Sequence, residues 1–280
     1  MCNTYIREGG GAIGRKGKVR DMSLQHASIS RVAWHGKQYR FIVADEKDEI
    51  QRDHASGKVY EEEELNLLIK VDRQWKEMVD VGANVGNHSI ALNGQFNFRK
   101  VVVFEPNPRA AELLRLNIVL NTHPHADPFD TNYIDRVVSD VNGGCYRSEE
   151  MFPSNLGSTA FFQAPYDKKQ QQTKERSDAP DQGSVDDTAR SVTLDYALGP
   201  ASNVDFLKID VEGMEVEVLK SACATISRLS PDIFIEFSDD KKHVLDDFCD
   251  KYGYRIEFAF NRYPGLSSYF LLPHKGRITS

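Results

Sequence analysis

Residues 77–92 read EMVDVGANVGNHSIAL, and this stretch decides the fold. A short apolar run ends at Asp80, a glycine-containing turn follows, and the next residues have the spacing of a helix. The same order of strand, turn and helix recurs at 100–121, 203–229 and 232–253. Apolar strands that alternate with helices favour a parallel sheet covered by helices on both faces. We therefore predict an α/β fold with a doubly wound, mostly parallel sheet.

The last two apolar runs of the chain lie at 254–260 (YRIEFAF) and 267–273 (SSYFLLP). The residues between them are too few for a crossover helix, so we expect an antiparallel hairpin at the end of the sheet. Before the alternation begins, the pattern predicts a strand at Tyr39–Ala44 and a helix at Tyr60–Lys70 with acidic residues in its first turn.

Composition divides the chain into three parts and one insertion. Residues 1–30 are rich in glycine, serine and basic residues without apolar periodicity, which predicts a flexible N-terminal arm. Residues 31–75 hold the N-terminal strand and helix as an extension, and residues 76–280 hold the alternating units. Residues 165–189 contain almost no apolar residue, so we expect a mobile insertion. It is either a solvated loop, which the pattern favours, or a lid over a substrate.

Composition also excludes several classes of protein. The chain has 280 residues, 40% of them hydrophobic, which is enough for a core, and no apolar run approaches the ~20 residues that cross a bilayer. A formal net charge of −7 works against the broad basic surface that nucleic acid requires. The four widely spaced cysteines form no disulfide framework, and the first ten residues lack the features of a secretory signal. We expect a cytoplasmic protein with no membrane partner.

The turn after the first strand of the alternation has the properties of a ligand site. Gly82 and Gly86 allow a tight strand-to-helix turn, and the helix that begins near Asn87 directs its free N–H groups at whatever occupies the turn. The second strand ends at Glu105, whose carboxylate is expected at the same edge of the sheet, where it can accept both hydroxyl protons of a ribose. Asn107 then caps the next helix. These features fit an adenosine cofactor.

Details of the turn discriminate between cofactors. A dinucleotide site needs G-x-G-x-x-G to bring backbone onto a pyrophosphate, and Asn84 would obstruct that approach. The one match to that motif, at Gly9, Gly11 and Gly14, follows no strand, so we interpret it as linker. S-adenosylmethionine has no phosphate, and an acid such as Asp80 together with turn N–H groups complements its ammonium and carboxylate. Its binding is favoured over that of NAD.

Four blocks, VDVGANVGNHS, FEPNP, VTLDYAL and FLKIDVEGMEVEVL, resemble the FkbM family of S-adenosylmethionine-dependent methyltransferases. The resemblance runs from about Tyr60 to the C-terminus and leaves out the arm and the insertion. It implies a class I methyltransferase fold, S-adenosylmethionine as the cofactor, and O-methylation of hydroxyl groups on sugars, polyketides or related metabolites. The partner is then a small hydroxylated acceptor, and the oligomeric state stays open.

The resemblance also implies a set of cofactor-binding residues. It puts the turn around the methionine part of the cofactor, Glu105 on the ribose, and Ser139 with Asp140 beside the adenine. Asp140 fits a plain turn residue almost as well, and His88 fits a polar residue at the start of a helix. The full set is Asp80, Gly82, Ala83, Asn84, Gly86, Asn87, His88, Glu105, Pro106, Asn107, Ser139 and Asp140.

Three carboxylates are the candidate catalytic residues. Asp210 closes a central strand at the edge where open α/β sheets bind ligands, Glu212 follows it, and Glu236 ends a further strand. A hydroxyl acceptor must lose its proton, so we expect a general base among them, in that order, with substrate binding as the alternative role of each. We interpret Glu215 as an acid that stabilises a helix N-terminus.

Other readings of the sequence are weaker. His123 and His125 lack a third partner at a recognised spacing, so we predict no metal site there, and whether a divalent ion assists the reaction stays open. A methyltransferase acting on RNA or protein is the main alternative, although the acidic composition counts against RNA. A protein that binds S-adenosylmethionine without catalysis is a further alternative, since the fold does not fix the function.

Overall fold

The computed structural model of the protein describes residues 27–123, 126–151, 155–164 and 188–274. Most of the predicted arm and of the predicted insertion lies outside these ranges, so both stay predictions. The described residues form eight α-helices and two short 3₁₀ turns, and none of these helices is both long and apolar enough to cross a membrane. The helices are α1 (Glu49–Ala55), α2 (Glu62–Ile69), α3 (Asn87–Phe96), α4 (Pro108–Asn121), α5 (Leu194–Leu198), α6 (Glu215–Ser221), α7 (Cys223–Leu229) and α8 (Lys242–Tyr252), and the 3₁₀ turns are Leu156–Ser158 and Asp239–Lys241.

Strands account for most of the remaining described residues. They are β1 (Ser28–Trp34), β2 (Lys37–Val43), β3 (Glu77–Val81), β4 (Lys100–Phe104), β5 (Phe129–Asp130), β6 (Arg136–Val138), β7 (Cys145–Glu150), β8 (Thr159–Gln163), β9 (Thr188–Val192), β10 (Phe206–Ile209), β11 (Asp232–Ser238), β12 (Tyr254–Tyr263) and β13 (Leu266–Pro273).

A seven-stranded sheet in the order β12-β13-β11-β10-β3-β4-β5 forms the centre of the fold. The strands from β11 to β5 run parallel, and β13 runs antiparallel to both of its neighbours. The predicted parallel sheet and the predicted C-terminal hairpin are confirmed. The chain builds β3, β4 and β5 outward in one direction and then returns to place β10 on the other side of β3. The carboxyl ends of β3 and β10 are therefore where this topology forms a ligand crevice.

Alternation of side chains along the strands divides the core between the two faces of the sheet. Met78 and Phe206 pack on one face with residues of α2, α3 and α4. Val79 and Leu207, the next residues along the same two strands, pack on the other face with α6, α7 and α8. Because both faces of β3 and β10 are buried, these strands lie in the interior of the fold, and the turns that follow them are held at one edge of the sheet.

An N-terminal β-hairpin, β1 with β2, packs beside α4. The amide side chains of α4 pair with the backbone of β2: Ile42 N donates to Asn117 Oδ1 at 2.8 Å, and Arg40 N donates to Asn121 Oδ1 at 2.9 Å. These bonds occupy an edge that would otherwise expose unpaired N–H groups. The sequence predicted β2 but not β1 or α1, because β1 follows the glycine-rich arm and α1 is short.

The chain after β10 differs from the sequence-based expectation. The sequence predicts one helix at the end of 203–229, and the structure has two, α6 and α7, that meet at Ala222. The helical spacing of Met214, Val218, Ala222 and Ile226 also predicts that these residues pack in the core. Val218, Ala222 and Ile226 are buried, whereas Met214 precedes α6 in a turn and lies on the wall of the cavity described below.

His54 of α1 is a buried histidine whose tautomer is fixed by its neighbours. Its ring stacks on Phe41, with centroids 3.9 Å apart, and its Nε2 lies 2.9 Å from Asn87 Oδ1. The Asn87 amide is oriented by the backbone of Tyr60, which donates to Oδ1 and accepts from Nδ2, so His54 Nε2 must be the donor. His54 Nδ1 has no partner among the described residues. Burial therefore lowers the pKa of His54 to about 4.

Acidification is expected to destabilise the protein through His54. The unfolded chain takes up a proton near the ordinary pKa of about 6.5, whereas the folded chain does so only near 4, so the loss of stability falls between these values. We expect His54 to lower the free energy of unfolding by about 3 kcal/mol across this pH window, and to cause no further loss below it. Urea unfolding at both ends of the window should show a smaller loss for His54→Gln than for the wild type. The exposed His35, changed to Gln, is the control, and equal pH dependence of His54→Gln and wild type would contradict this account.

Candidate active site

A cavity of about 440 Å³ opens at the carboxyl ends of the central strands, a size typical of small-molecule sites. Its walls come from the turn after β3, the residues after β4, strand β6, the 3₁₀ turn at Leu156–Ser158, and the ends of β10 and β11. The lining includes the apolar residues Phe104, Val137 and Val138. It also includes four carboxyl groups that lie near one another, Glu61, Asp210, Glu212 and Glu236, which we call the acidic side of the cavity.

The turn after β3 can form only with glycine at position 82. Gly82 has a φ of +81°, and a Cβ placed there would lie 1.8 Å from the backbone oxygen of Asp210. The end of β10 thus packs directly on the turn after β3, which we call the first turn. Asn84, on the cavity wall, also has a positive φ of 50°, a conformation that asparagine tolerates better than most residues.

Lys208 connects the first turn to the end of β10, and the sequence analysis missed it. Its side chain is buried, with Nζ 3.1 Å from Asp80 Oδ1 and 3.2 Å from Asp210 Oδ2, and it donates to the Gly82 oxygen at 3.2 Å. Burial lowers the pKa of Lys208, but the charges of Asp210 and Asp80 outweigh burial and raise it above its ordinary value. The ammonium therefore stays charged and holds Asp210 at the cavity.

Asp80 is placed behind the cavity wall rather than on it. Its side chain is fully buried, pairs with Lys208, and accepts a hydrogen bond from the Ser89 hydroxyl. The sequence predicts that Asp80 contacts the ammonium group of S-adenosylmethionine. This prediction does not match the structure, in which the Asp80 carboxylate oxygens contact Lys208 and Ser89. In the structure, Asp80 acts on the site through Lys208.

Glu105 lies on the cavity wall with its carboxylate fixed by two backbone donors. Asn84 N donates to Oε2 at 2.7 Å, and Asn107 N donates to Oε1 at 2.8 Å. Burial raises the pKa of Glu105 to about 7 in spite of these bonds. Each oxygen has a further lone pair, so the carboxylate can still accept hydrogen bonds from hydroxyl groups of a ligand.

The three predicted catalytic carboxylates, Asp210, Glu212 and Glu236, all line the cavity. Burial, together with the charges of Asp210 and Glu215, raises the pKa of Glu212 to about 7. Burial, together with Asp210 and other nearby carboxylates, raises the pKa of Glu236 to about 10. Glu236 is therefore protonated at neutral pH and can donate a hydrogen bond, whereas it cannot accept a proton there.

Four of the predicted cofactor-binding residues line the cavity: Gly82, Asn84, Glu105 and Pro106. Besides Asp80, the others lie outside the lining and have structural contacts of their own. Asn107 caps α4 by accepting from Arg109 N at 3.0 Å, and it donates to Thr159 Oγ1 at 2.9 Å. Asn87 binds the backbone of Tyr60. Whether any of them contacts a cofactor stays a prediction.

The predicted adenine-side residues and the remaining turn residues also lie off the wall. Ser139 is buried, and its hydroxyl lies 2.6 Å from the Tyr146 hydroxyl, while Asp140 is exposed. Val137 and Val138, just before them, face the cavity instead. Ala83 and Gly86 shape the turn, and His88 lies 3.1 Å from Glu61 through Nε2 and Oε2.

Sequence reasoning missed several wall residues, some because they come from segments without a motif and others because they are apolar neighbours of the motif residues. Glu61 is one of four consecutive glutamates and reads as a helix-start acid, but it has a φ of +57° and precedes α2. Others come from β6, β8 and the C-terminal hairpin, which are brought together only by the fold. The missed wall residues are Glu49, Ile50, Tyr60, Glu61, Val81, Phe104, Arg136, Val137, Val138, Thr159, Phe161, Val211, Met214, Tyr263 and Leu266. The resemblance to the FkbM family also implies that residues 154–158 face the substrate. Residues 155–158 line the cavity, whereas Ser154 lies outside the described residues.

Residues 80–256, more than half of the chain, match the family model described as the methyltransferase FkbM domain. The chain is similar to the crystal structure of an FkbM methyltransferase from Methylobacillus flagellatus KT, with 17% identity and a TM-score of 0.46 over 79% of this chain and 52% of that one. It thus spans about half the length of that structure. The sequence matches none of the curated proteins.

Two further solved structures are similar at low identity. One is M. capricolum TrmK in complex with S-adenosylhomocysteine, with 9% identity and a TM-score of 0.43 over 75% of this chain and 67% of that one. The other is M. jannaschii TYW2 in complex with AdoMet, with 13% identity and a TM-score of 0.42 over 87% of this chain and 84% of that one.

Proposed function

Because the chain belongs to the FkbM methyltransferase family, we propose that it binds S-adenosylmethionine in this cavity and methylates a hydroxyl group of a sugar or another small metabolite. The observation that carries the proposal is the position of the Glu105 carboxylate, fixed on the cavity wall next to the turn that contains Gly82. The class I methyltransferase fold, with its ligand crevice at the carboxyl edge, supports the same conclusion.

The residues on the wall fit the parts of S-adenosylmethionine. The Glu105 carboxylate has free acceptor positions for the two ribose hydroxyls, and Val137 with Val138 offers an apolar surface to a base. Gly82 and Asp210, whose backbones pack on each other, both line the part of the wall where the amino-acid end would lie. The side chain of Asn84 stands where a dinucleotide site needs close approach of the backbone to a pyrophosphate, which supports this cofactor over a dinucleotide.

S-adenosylmethionine supplies an electrophilic methyl group when it is bound. The acceptor oxygen forms a bond to that methyl carbon, the carbon–sulfur bond breaks with its electron pair left on sulfur, and the acceptor's O–H proton passes to a base. Proximity alone can supply roughly 7 to 11 kcal/mol of such a barrier. This chain's contribution is to hold the acceptor hydroxyl at the acidic side of the cavity and to receive the proton.

Asp210 is the first candidate for contact with the acceptor hydroxyl, and Glu212 is the second. Asp210 is held at the wall by Lys208 and lies beside Gly82, where the turn after β3 packs on the residues that follow β10. Glu212 lies on the same wall, two residues further along the chain. Glu236, with its raised pKa, serves as a hydrogen-bond donor to an acceptor oxygen at neutral pH rather than as the base.

The experiment that tests this function uses S-adenosylmethionine labelled in its methyl group. The purified protein is incubated with sugars, glycosides and polyols, and in parallel with RNA and with protein. We expect label in a small hydroxylated acceptor as an alkali-stable methyl ether. Label in RNA or protein alone would support the alternative methyltransferase class, and absence of transfer to any acceptor while the cofactor still binds would favour a non-catalytic protein.

A further inference from the structure

Three side chains from distant parts of the sequence converge at the acidic side of the cavity. Glu61 precedes α2, His88 is the second residue of α3, and Asp210 follows β10. One potential ligand atom from each lies within 4.8 Å of the others, and His88 Nε2 lies 3.1 Å from Glu61 Oε2. Ligand atoms about 2.1 Å from a shared ion lie roughly 3 to 4 Å apart, which is close to this spread.

His88 provides an independent indication of a ligand. Its side chain is only 7% exposed, yet Nε2 makes no hydrogen bond to any residue that the structure describes. It does lie 3.1 Å from Glu61 Oε2, but this contact is poorly directed for an N–H···O bond. A buried nitrogen held only by such a contact is incompletely satisfied, and a neutral imidazole nitrogen has a lone pair that suits a metal ion.

The charge around the three residues also calls for a cation. Glu61, Asp210 and Glu212 all line this one cavity, beside Glu236, which is protonated at neutral pH and adds no charge. Among the described residues, two cations lie nearby: Lys208 pairs with both Asp80 and Asp210, and Arg262, whose charge acts on Glu61, lies over the rings of Tyr60 and Tyr263. A divalent ion at the convergence of Glu61 and Asp210 would offset their mutual repulsion.

We propose that Glu61, His88 and Asp210 bind a divalent first-row transition-metal ion at the acceptor side of the cavity. One imidazole nitrogen and two carboxylate oxygens suit Mn²⁺ or Zn²⁺ better than Ca²⁺ or Mg²⁺, which take oxygen ligands almost exclusively. Three protein ligands leave coordination positions open, so the acceptor's hydroxyl oxygen can complete the site.

The role of this ion rests on the proposed function, whereas its binding does not. A metal ion lowers the pKa of a hydroxyl group that it binds. Asp210 then acts as a ligand, and the O–H proton passes to Glu212 as the oxygen forms its bond to the methyl carbon. A role as a metal ligand accounts for the position of the Asp210 carboxylate, which lies on the cavity wall and is also paired with Lys208.

The test is a calorimetric titration of the chelator-treated full chain with Mn²⁺ alone, in the absence of cofactor and acceptor. We expect one ion per chain, and at least about tenfold weaker binding in His88→Gln and in Glu61→Gln. Glu49→Gln is the matched control, because Glu49 lines the same cavity outside the three residues and should leave the affinity for Mn²⁺ unchanged. Thermal unfolding of each variant confirms that it is folded, and the two variants are tested separately so that one misfolded protein does not decide the result.

Absence of binding of both Mn²⁺ and Zn²⁺ at about 1 mM would overturn the metal site, as would unchanged affinity in a folded His88→Gln protein. A parallel titration with S-adenosylhomocysteine separates this failure from failure of the proposed function. Cofactor binding without ion binding would overturn the metal site alone. Ion binding without cofactor binding would overturn the proposed function and leave the metal site standing.

Discussion

Gly82→Ala is expected to lower the free energy of unfolding by at least about 3 kcal/mol and to weaken cofactor binding. The new Cβ would lie 1.8 Å from the oxygen and 2.9 Å from the carbonyl carbon of Asp210, and both are backbone atoms that cannot rotate away. The φ of +81° adds a further cost for any residue with a Cβ. To relieve the contact, the first turn must move away from β10, and it carries Asn84 N away from Glu105.

Gly253→Ala is the matched control for this prediction. Gly253 also has a positive φ, of 71°, but a Cβ there meets nothing within 4 Å, so only the conformational cost of about 1 kcal/mol is expected. Urea unfolding gives the stability of each variant, and titration with S-adenosylhomocysteine gives its affinity. If the two alanine variants lose equal stability, the close contact between the first turn and Asp210 is wrong.

Asp210→Asn is expected to lower kcat by 100-fold or more, on the order of the contribution of a catalytic acid or base, and to leave cofactor affinity within about threefold. The substitution keeps the shape of the side chain and removes its charge at the acceptor side of the cavity. Lys208 keeps its pairing with Asp80, so the buried ammonium is not left without a counter-ion. The loss therefore falls on the transition state rather than on the fold.

Comparison variants identify the carboxylate that matters most. Glu212→Gln and Glu236→Gln change the other two carboxyl groups of the wall, and Glu217→Gln changes an acid of α6 that is not part of it. Single-turnover rates and cofactor affinity are measured for each. If Asp210→Asn leaves both unchanged while Glu236→Gln abolishes turnover, the order of the candidates is wrong, although methyl transfer itself would still stand.

The sequence predicted the central sheet because its strands are nearly continuous apolar runs with a turn after each. This holds for β3, β4, β10, β11 and β13, whereas β12 was predicted from the alternation of apolar and polar residues in YRIEFAF. The small sheet of β6, β9, β7 and β8 could not be predicted as a unit. Its strands are short, and the pairing of β6 with β9 joins residues separated by the polar insertion.

The first turn and Glu105 were predictable because their geometry is local: a glycine turn and the end of a strand. Lys208 had a signal that was overlooked. A lysine inside the apolar run FLKI must find a buried counter-ion, and in the parallel pairing its partner on β3 is Asp80. Residues i and i+2 share a face of a strand, which also directs Lys208 towards Asp210. Glu61 had no such signal, since only the tertiary fold brings it to His88.

The most direct measurement is a calorimetric titration of the purified chain with S-adenosylhomocysteine, compared with Glu105→Ala and with NAD. We predict one molecule bound per chain, binding weaker by roughly 1 to 3 kcal/mol in Glu105→Ala through loss of charge-assisted hydrogen bonds, and no binding of NAD. Glu112→Ala, an exposed acid on α4, is the control and should bind like the wild type. Absence of S-adenosylhomocysteine binding at about 1 mM, or preferential binding of NAD, would contradict the account.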